Sequence, residues 1–386
     1  MSYVILAPFE ASVATPREDR LTLPTSHRVP VSWLLQYGCP AIKYRTLTEI
    51  VGSAAPGELD PLKLEMEAYP PARQVARKQK DTGVWGGNLL GVAPNKTAGI
   101  KDVGTIHQYR RLVELGWPQE SRPLKLGGRL LFRLLSRDSD PKLLFEFQKY
   151  GASEPGVEPW IREIVREAAA TALAHAGNGD DPRVRGAAHR IANSVSQFLR
   201  SELVEQPLIK VSRAWVLHPK AYPPTVFSVG LLAMLPAVQR ERAGLVDRLG
   251  VYLAQPPSKK SFGVVCGKKI LKPAFVLLGD PLKVSASGQP EDLPFALYWM
   301  EVLARLGVLQ HSVSAARAWA RLSKDCNEQG VWSPKNLRTL PRRTSPWSYH
   351  AFPLQADSRT VESRQADVTF RMALIARLAG WEIGTA

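Results

Sequence analysis

An all-α fold is the class this sequence predicts, on three observations. Apolar residues recur at helical spacing along most of the chain. Many segments marked in this way stop on Gly or Pro. Alternating apolar and polar runs of the strand kind are almost absent.

Residues 1–30 are rich in Pro and Thr, lack periodicity and predict an irregular leader. From Val31 the pattern becomes helical, first in VSWLLQYG and then in PAIKYRTLTEIVG. In the second stretch Ile42, Leu47, Ile50 and Val51 suit one face. Pro40 opens that helix, since its first turn has no use for the missing amide hydrogen, and Gly52 closes it. One helix type follows in TIHQYRRLVELGW (105–117), TVFSVGLLAMLP (225–236), FALYWMEVLARLGV (295–308) and FRMALIARLAGW (370–381). Each ends in two apolar residues three positions apart, then Gly, Ala-Gly or Pro. A left-handed Gly stops the helix, and an apolar residue beyond it folds back on the last turn. A second type lies between them: LGGRLLFRLLSR (126–137), LVDRLGVYLAQ (245–255) and SVSAARAWARLSK (312–324). The two types alternate at a spacing of roughly 50 residues, the mark of a repeat architecture. VVCGKKI (264–270) reads as a loop or edge piece. A single helical-repeat domain over residues 31–386 is therefore expected, with FRMALIARLAGWEI (370–383) as its closing helix.

The bulk composition fits a folded chain. Of 386 residues 45% are hydrophobic and 22% charged, which excludes a disordered composition. Lys and Arg exceed Asp and Glu by 16. That surplus favours anionic partners such as nucleic acid, phosphate groups or acidic membrane surfaces, unless it is only solubility charge. Its densest clusters are Arg338, Arg342 and Arg343, then Lys259, Lys260, Lys268 and Lys269. Cys39, Cys266 and Cys326 form no metal-ligand spacing and suggest reducing surroundings. No apolar run approaches the roughly 18 residues of a membrane span. A soluble cytoplasmic protein is expected.

Gly-Val-Trp occurs twice, in KQKDTGVWGG (78–87) and CNEQGVWSP (326–334). Gln79, Gly83 and Trp85, and again Gln329, Gly330 and Trp332, follow helices. This pattern resembles the repeat of the squalene cyclase and prenyltransferase superfamily, in which a helix ends in Gln and a Gly-x-Trp turn follows. In the second copy Gln329 directly precedes the Gly, so the match is looser. WLLQYGCPAIKYRTLTEIVG is similar to the start of cyclase-like bacterial repeat proteins. The resemblance spans roughly residues 31–386 and is thin between 150 and 290. It implies an (α/α) toroid, with inner and outer helices alternating around an apolar or aromatic-lined funnel. In such repeats the Gln satisfies orphan backbone groups at a neighbouring helix end and the Trp covers the junction.

The chemistry is less legible. Cyclases of that superfamily use an Asp-x-Asp-Asp acid; here the nearest string is Asp138-Ser139-Asp140-Pro141. Asp140 would be the proton donor and Asp138 its partner, although Asp140 before Pro also reads as a helix N-cap. No DDxxD string occurs, and Asp181 before Pro182 reads as an N-cap. Asp325, Cys326 and His350 lie where related transferases bind zinc, but neighbours on a helix point about 100° apart, and no metal is assigned. His107 reads as a packing residue. SPWSYHAF, with His350 beside Arg342 and Arg343, ranks first among site candidates because loops on rigid scaffolds carry function. Trp347 and Tyr349 interleave with those cations and could take a phosphate or a stacked base. Tyr298 and Trp299 could line the funnel.

Three readings follow. One is a toroid binding an isoprenoid or terpenoid ligand, catalytic as a divergent terpene cyclase or prenyltransferase-like enzyme only if the degenerate acid motif still works; the cofactor is unknown, and Mg²⁺ enters only for a diphosphate ligand. The second is a non-catalytic scaffold for a protein partner. The third is a basic solenoid that binds nucleic acid.

Overall fold

Proline and glycine set most helix ends in this chain. The structure, a computed structural model, describes residues 22–53, 57–90, 104–136, 157–273, 275–340, 345 and 347–385, without the side chains of 157–159. Strand β1 (Ser26–Val29) leads into α1 (Val31–Tyr37) and α2 (Pro40–Arg45). A π-helical turn (Thr46–Val51) prolongs α2 and stops at Gly52 with φ 75°. Then come α3 (Leu59–Ala68), α4 (Pro70–Arg77), α5 (Thr105–Glu114), α6 (Arg122–Leu135), α7 (Val157–His175) and α8 (Pro182–Leu199). Asp181 caps α8, its carboxylate accepting from Arg183 N. After the hairpin β2 (Leu208–Val211) and β3 (Ala214–Leu217) follow α9 (Val226–Ala233), α10 (Pro236–Glu241) and α11 (Ala243–Leu253). The hairpin β4 (Val264–Cys266) and β5 (Lys269–Leu271) precedes α12 (Leu293–Arg305), α13 (Val313–Ser323), α14 (Val361–Leu378) and β6 (Glu382–Thr385).

The expected all-α toroid does not stand. About 53% of the molecule is helical and 10% is strand in small sheets, a mixed α/β character without a closed barrel. Among the described residues there are three sheets, each of two strands. β1 pairs with β6 in parallel, Ser26 against Glu382 through Val29 against Thr385. Four residues of the expected leader are thus a strand. The expected closing helix stops at Leu378, because Gly380 takes φ 73° and the chain leaves as β6. VVCGKKI is the β4–β5 hairpin rather than a loop. These strands escaped notice because each is three or four residues long.

The helix endings follow the glycines. Gly116, Gly307 and Gly380 all have positive φ. Behind them Trp117 N donates to Leu112 O, Val308 N to Leu303 O and Trp381 N to Ala376 O, at 3.0, 3.0 and 3.1 Å. Apolar faces then decide packing. α5 and α6 pack on α7, α7 on α9, α9 on α12, α12 on α14, and α14 on α1 and α2. One continuous core results, from Val29 near one end to Ala376 near the other.

The two Gly-Val-Trp turns share one backbone geometry. Gln79 bridges Trp85, and Cys326 bridges Trp332. Lys80 N donates to Val84 O and Gly83 N to Lys80 O; Asn327 N donates to Val331 O and Gly330 N to Asn327 O, all at 2.9 Å. A third copy runs from Val284 to Pro290, with Ser285 N donating to Gln289 O and Gly288 N to Ser285 O. Pro290 stands where the others have Trp, so the motif hid it. All three glycines have φ between 83° and 88°. A Cβ on Gly83, Gly288 or Gly330 would meet the carbonyl oxygen of Leu126, Arg317 or Arg28 at 2.7, 2.6 or 2.1 Å. Each turn therefore lies flat on the backbone of a neighbouring element, and only glycine permits it.

Candidate functional site: a buried arginine cluster beside an inserted loop

The residues brought together at the centre are charged. They come from helix faces that otherwise read as apolar. Tyr298, Glu301 and Arg305 follow one another at three and four positions on α12, so they share a face. His107, Arg110 and Glu114 repeat that spacing on α5. Asp367 and Arg371 are one turn apart on α14, both 0% exposed and paired at 2.7 Å. Breaking one partner of such a pair costs about 3–5 kcal/mol, since the other charge stays buried and alone.

A loop of Ser345 and residues 347–356 runs in among these helices. At its start Ser345 N donates to Asp292 Oδ2 at 2.7 Å, and Trp347 meets Phe227 edge-on, centroids 5.2 Å apart. At its centre the Tyr349 hydroxyl donates to Glu301 Oε2 at 2.7 Å, and the Arg371 guanidinium lies 3.3 Å from the Tyr349 ring centroid. The Glu114 carboxylate accepts from the amides of His350, at 3.0 and 3.1 Å, and Ala351, at 2.7 Å. Arg371 Nη2 donates to Ala351 O at 3.1 Å. On the way out Leu354 N donates to Asp367 Oδ2 at 2.6 Å, and Leu354 O accepts from the Tyr69 hydroxyl at 2.8 Å. Three buried carboxylates thus hold a segment that has almost no secondary structure. Its backbone donors are satisfied by side chains instead of a ladder.

Beside this loop a cluster of charged side chains, here called the basin, gathers largely at the last turns of several helices. Arg45 ends α2 and pairs with Glu49 in the π-helical turn. Arg305 ends α12 and reaches Glu301 at 2.9 Å and Glu49 at 3.6 Å. His175 ends α7. A helix C-terminus carries partial negative charge, which favours a cation at the position of Arg305. Burial would raise Glu301, but the Arg305 and Arg45 guanidiniums override it and hold the carboxyl down at about 2. His175 lies well below the ordinary histidine range; burial is the main cause, and Arg110, Arg45 and Arg305 add to it. It is therefore neutral near pH 7. Arg110 is 4% exposed, and among the described residues nothing hydrogen-bonds to its Nε or ion-pairs with its guanidinium. Arg305 and Glu49 keep 21% and 32% of their side-chain surface open, so solvent reaches the basin.

A further carboxyl, part-buried, lies earlier on α7. Glu167 accepts from the Thr225 hydroxyl at 2.6 Å, next to the capping box that starts α9. Burial lifts it to about 7, against the pull of that hydrogen bond. It can hold a proton at neutral pH.

The structure sorts the sequence candidates. His350, Tyr349 and Trp347 belong to the inserted loop, and His350 packs on His107 with ring centroids 4.5 Å apart. Tyr298 meets Tyr349 edge-on at 5.4 Å. Trp299 is fully buried and stacked on Phe295 at 6.2 Å, so it packs the helices instead of lining a funnel. Asp138, Asp140, Arg342 and Arg343 lie outside the described residues. Asp325 pairs with Arg321 at 2.9 Å, and among the described residues no three metal-ligating side chains gather. Gln79 acts at its corner: its amide donates to Gly83 O at 3.1 Å and to Pro123 O at 2.8 Å, while Trp85 Nε1 donates to Val75 O. Gln329 does not repeat this. It is exposed, and Cys326 occupies the position equivalent to Gln79. Trp332 repeats Trp85: each backbone amide donates to a threonine hydroxyl, Thr369 and Thr105, at 3.1 Å.

Arg45, Glu49, Arg110, Glu114, His175, Glu301, Arg305, Asp367 and Arg371 escaped the sequence reading. Their signal was an ionisable residue interrupting an apolar helix face, as in YWMEVLARL and TFRMALIARL. Comparison with protein-family models, curated proteins and solved structures finds no match in any of the three.

Proposed function

We propose that the protein binds a compact oxyanion, a phosphate or diphosphate group of a small molecule, in the basin of Arg45, Arg110, His175 and Arg305. The observation that carries this reading is the Arg110 guanidinium, buried and without a partner among the described residues, with Arg45 and Arg305 acting on the same His175. An unpaired buried charge is costly, and a bound anion would offset that cost. Arginine also suits oxyanions better than any other cation, because its planar fork donates two parallel hydrogen bonds. The neutral His175 adds a donor or an acceptor without adding repulsion. Glu49 and Glu301 neutralise part of the basin and favour a small anion over a long polyanion. The groups around the basin are charged, so the diphosphate end of the expected isoprenoid ligand suits it and the polyprenyl chain does not. Mg²⁺ would join only with a diphosphate.

Calorimetric titration of the full chain with inorganic phosphate and with pyrophosphate, with and without Mg²⁺, tests this. Saturable binding is expected, weakened at least about tenfold in Arg110→Met. The same variant should be no less stable than the wild type without ligand, because it removes an uncompensated charge. Equal affinity in the two proteins, or no binding of either anion, refutes the reading.

A further inference from the structure

Two stretches remote from the basin hold a concentrated charge. Residues 206–223 and 254–279 contain three and five Lys or Arg respectively, and no Asp or Glu. They fold against each other. β2 pairs with β3, β4 pairs with β5, and the two hairpins join where Val216 bridges Gly263. Leu217 N donates to Gly263 O at 2.8 Å, and Gly263 N to Trp215 O at 3.0 Å. Ser212, with φ 52°, and Gly267, with φ 60°, make the two tight turns.

Strand alternation and register decide which side chains share a face. Val211 stands opposite Ala214, and Val265 opposite Ile270. The Val216–Gly263 bridge links the two pairs. Val211, Val265 and Ile270 therefore fall on one side, and they are 40%, 46% and 48% exposed. Gly263 lies under Ile270, whose Cγ2 would be 2.2 Å from an added Cβ. Arg213, Lys259, Lys260, Lys268, Lys269 and Lys272, in the same two hairpins and the segments beside them, are all exposed; by the same alternation Lys269 and the Trp215 ring under Lys260 lie on the other side of the strands from the three aliphatic groups. Lys260 Nζ sits 3.7 Å from the Trp215 ring centroid, and Glu205 shares a cleft with Lys259 and Lys260.

We infer that this four-stranded patch docks on an anionic phospholipid surface. Its lysines are compact, hydrated charges that suit a diffuse layer of lipid phosphates, and a Debye length of about 8 Å lets several of them act together. Its exposed Val and Ile can reach the acyl boundary beneath the head groups. A nucleic-acid surface would instead use arginine forks and exposed aromatic rings. Here one arginine is present, and Trp215 is half-buried under a lysine. The inference does not depend on the anion basin.

Co-sedimentation of the full chain with phosphatidylcholine vesicles, with and without phosphatidylserine, tests it. Phosphatidylserine vesicles should bind at least about tenfold more tightly than neutral ones. The combined variant Lys259→Glu, Lys260→Glu, Lys268→Glu, Lys269→Glu should lose that preference. Val265→Ser with Ile270→Ser keeps every charge; it should bind at low salt and be released at high salt where the wild type remains bound. Circular dichroism of both variants checks that they are folded, and Lys268→Glu alone, at a hairpin turn, provides a milder second variant. Equal binding to neutral and anionic vesicles, undiminished binding by the lysine variants, or tighter binding to a DNA or RNA oligonucleotide than to vesicles would each overturn the inference.

Discussion

Replacing Glu167 by Gln should stabilise the protein at about pH 8 and change little at about pH 4. Burial lifts this carboxyl from its ordinary 4.5 to about 7 in the folded chain. An unfolded chain ionises the same group from about 4.5 upward. Between those values the folded state holds the extra proton, so its stability falls as pH rises. At about 1.36 kcal/mol per tenfold change in proton affinity, the full penalty above pH 7 is about 3 kcal/mol. Gln matches Glu in shape, stays neutral, and its carbonyl can still accept from the Thr225 hydroxyl. Local relaxation and water reduce the gain, so about 1–3 kcal/mol is expected. Urea unfolding of both proteins at the two pH values measures it, read as the difference in midpoint at constant slope. A difference of the same size at both pH values would show that packing, not proton affinity, separates the two proteins. Destabilisation by Gln at about pH 8 would mean that the carboxylate is ionised and paired there.

Other outcomes follow from the corners and the inserted loop. Gly330→Ala should cost more than about 2 kcal/mol in chemical unfolding, since φ is 88° and the new methyl meets Arg28 O. Glu114→Ala should strand the amides of His350 and Ala351, cost about 2–4 kcal/mol and speed protease cleavage within 347–356; Glu114→Gln, which keeps an acceptor oxygen, should cost less.

The helices were legible because their stop signals are local. Gly116, Gly307 and Gly380 each announce an ending within one turn, whatever the rest of the fold does. The strands were not legible. β1 becomes a strand only because β6 lies beside it, and four residues cannot display an alternation that a helix segment would exclude. The corner motif was half legible. Its glycine is a steric requirement, so it recurs in all three copies, while Trp85, Pro290 and Trp332 show that the covering residue is free to vary. The basin was the least legible part. Arg110, Glu301 and Arg371 lie far apart in sequence, and a single charged residue in an apolar helix looks the same whether it packs, pairs or binds. The inserted loop was noticed for its aromatics, but its anchors are Glu114 and Asp367 on other helices, which no local pattern connects to it.

The parallel pairing of β1 with β6 affects how the chain is made. Ser26 leaves the ribosome more than three hundred residues before Glu382, so β1 has no partner while all the helices between them are made. Helices α5 to α9 can form and pack as they emerge, whereas the seam between the two ends must wait. Contacts so distant in sequence slow folding, and an unpaired edge is the kind of surface that recruits other chains. A nascent molecule stalled before its last turn of helix would hold most of its core and an open seam, and it should depend on chaperones more than the finished protein does.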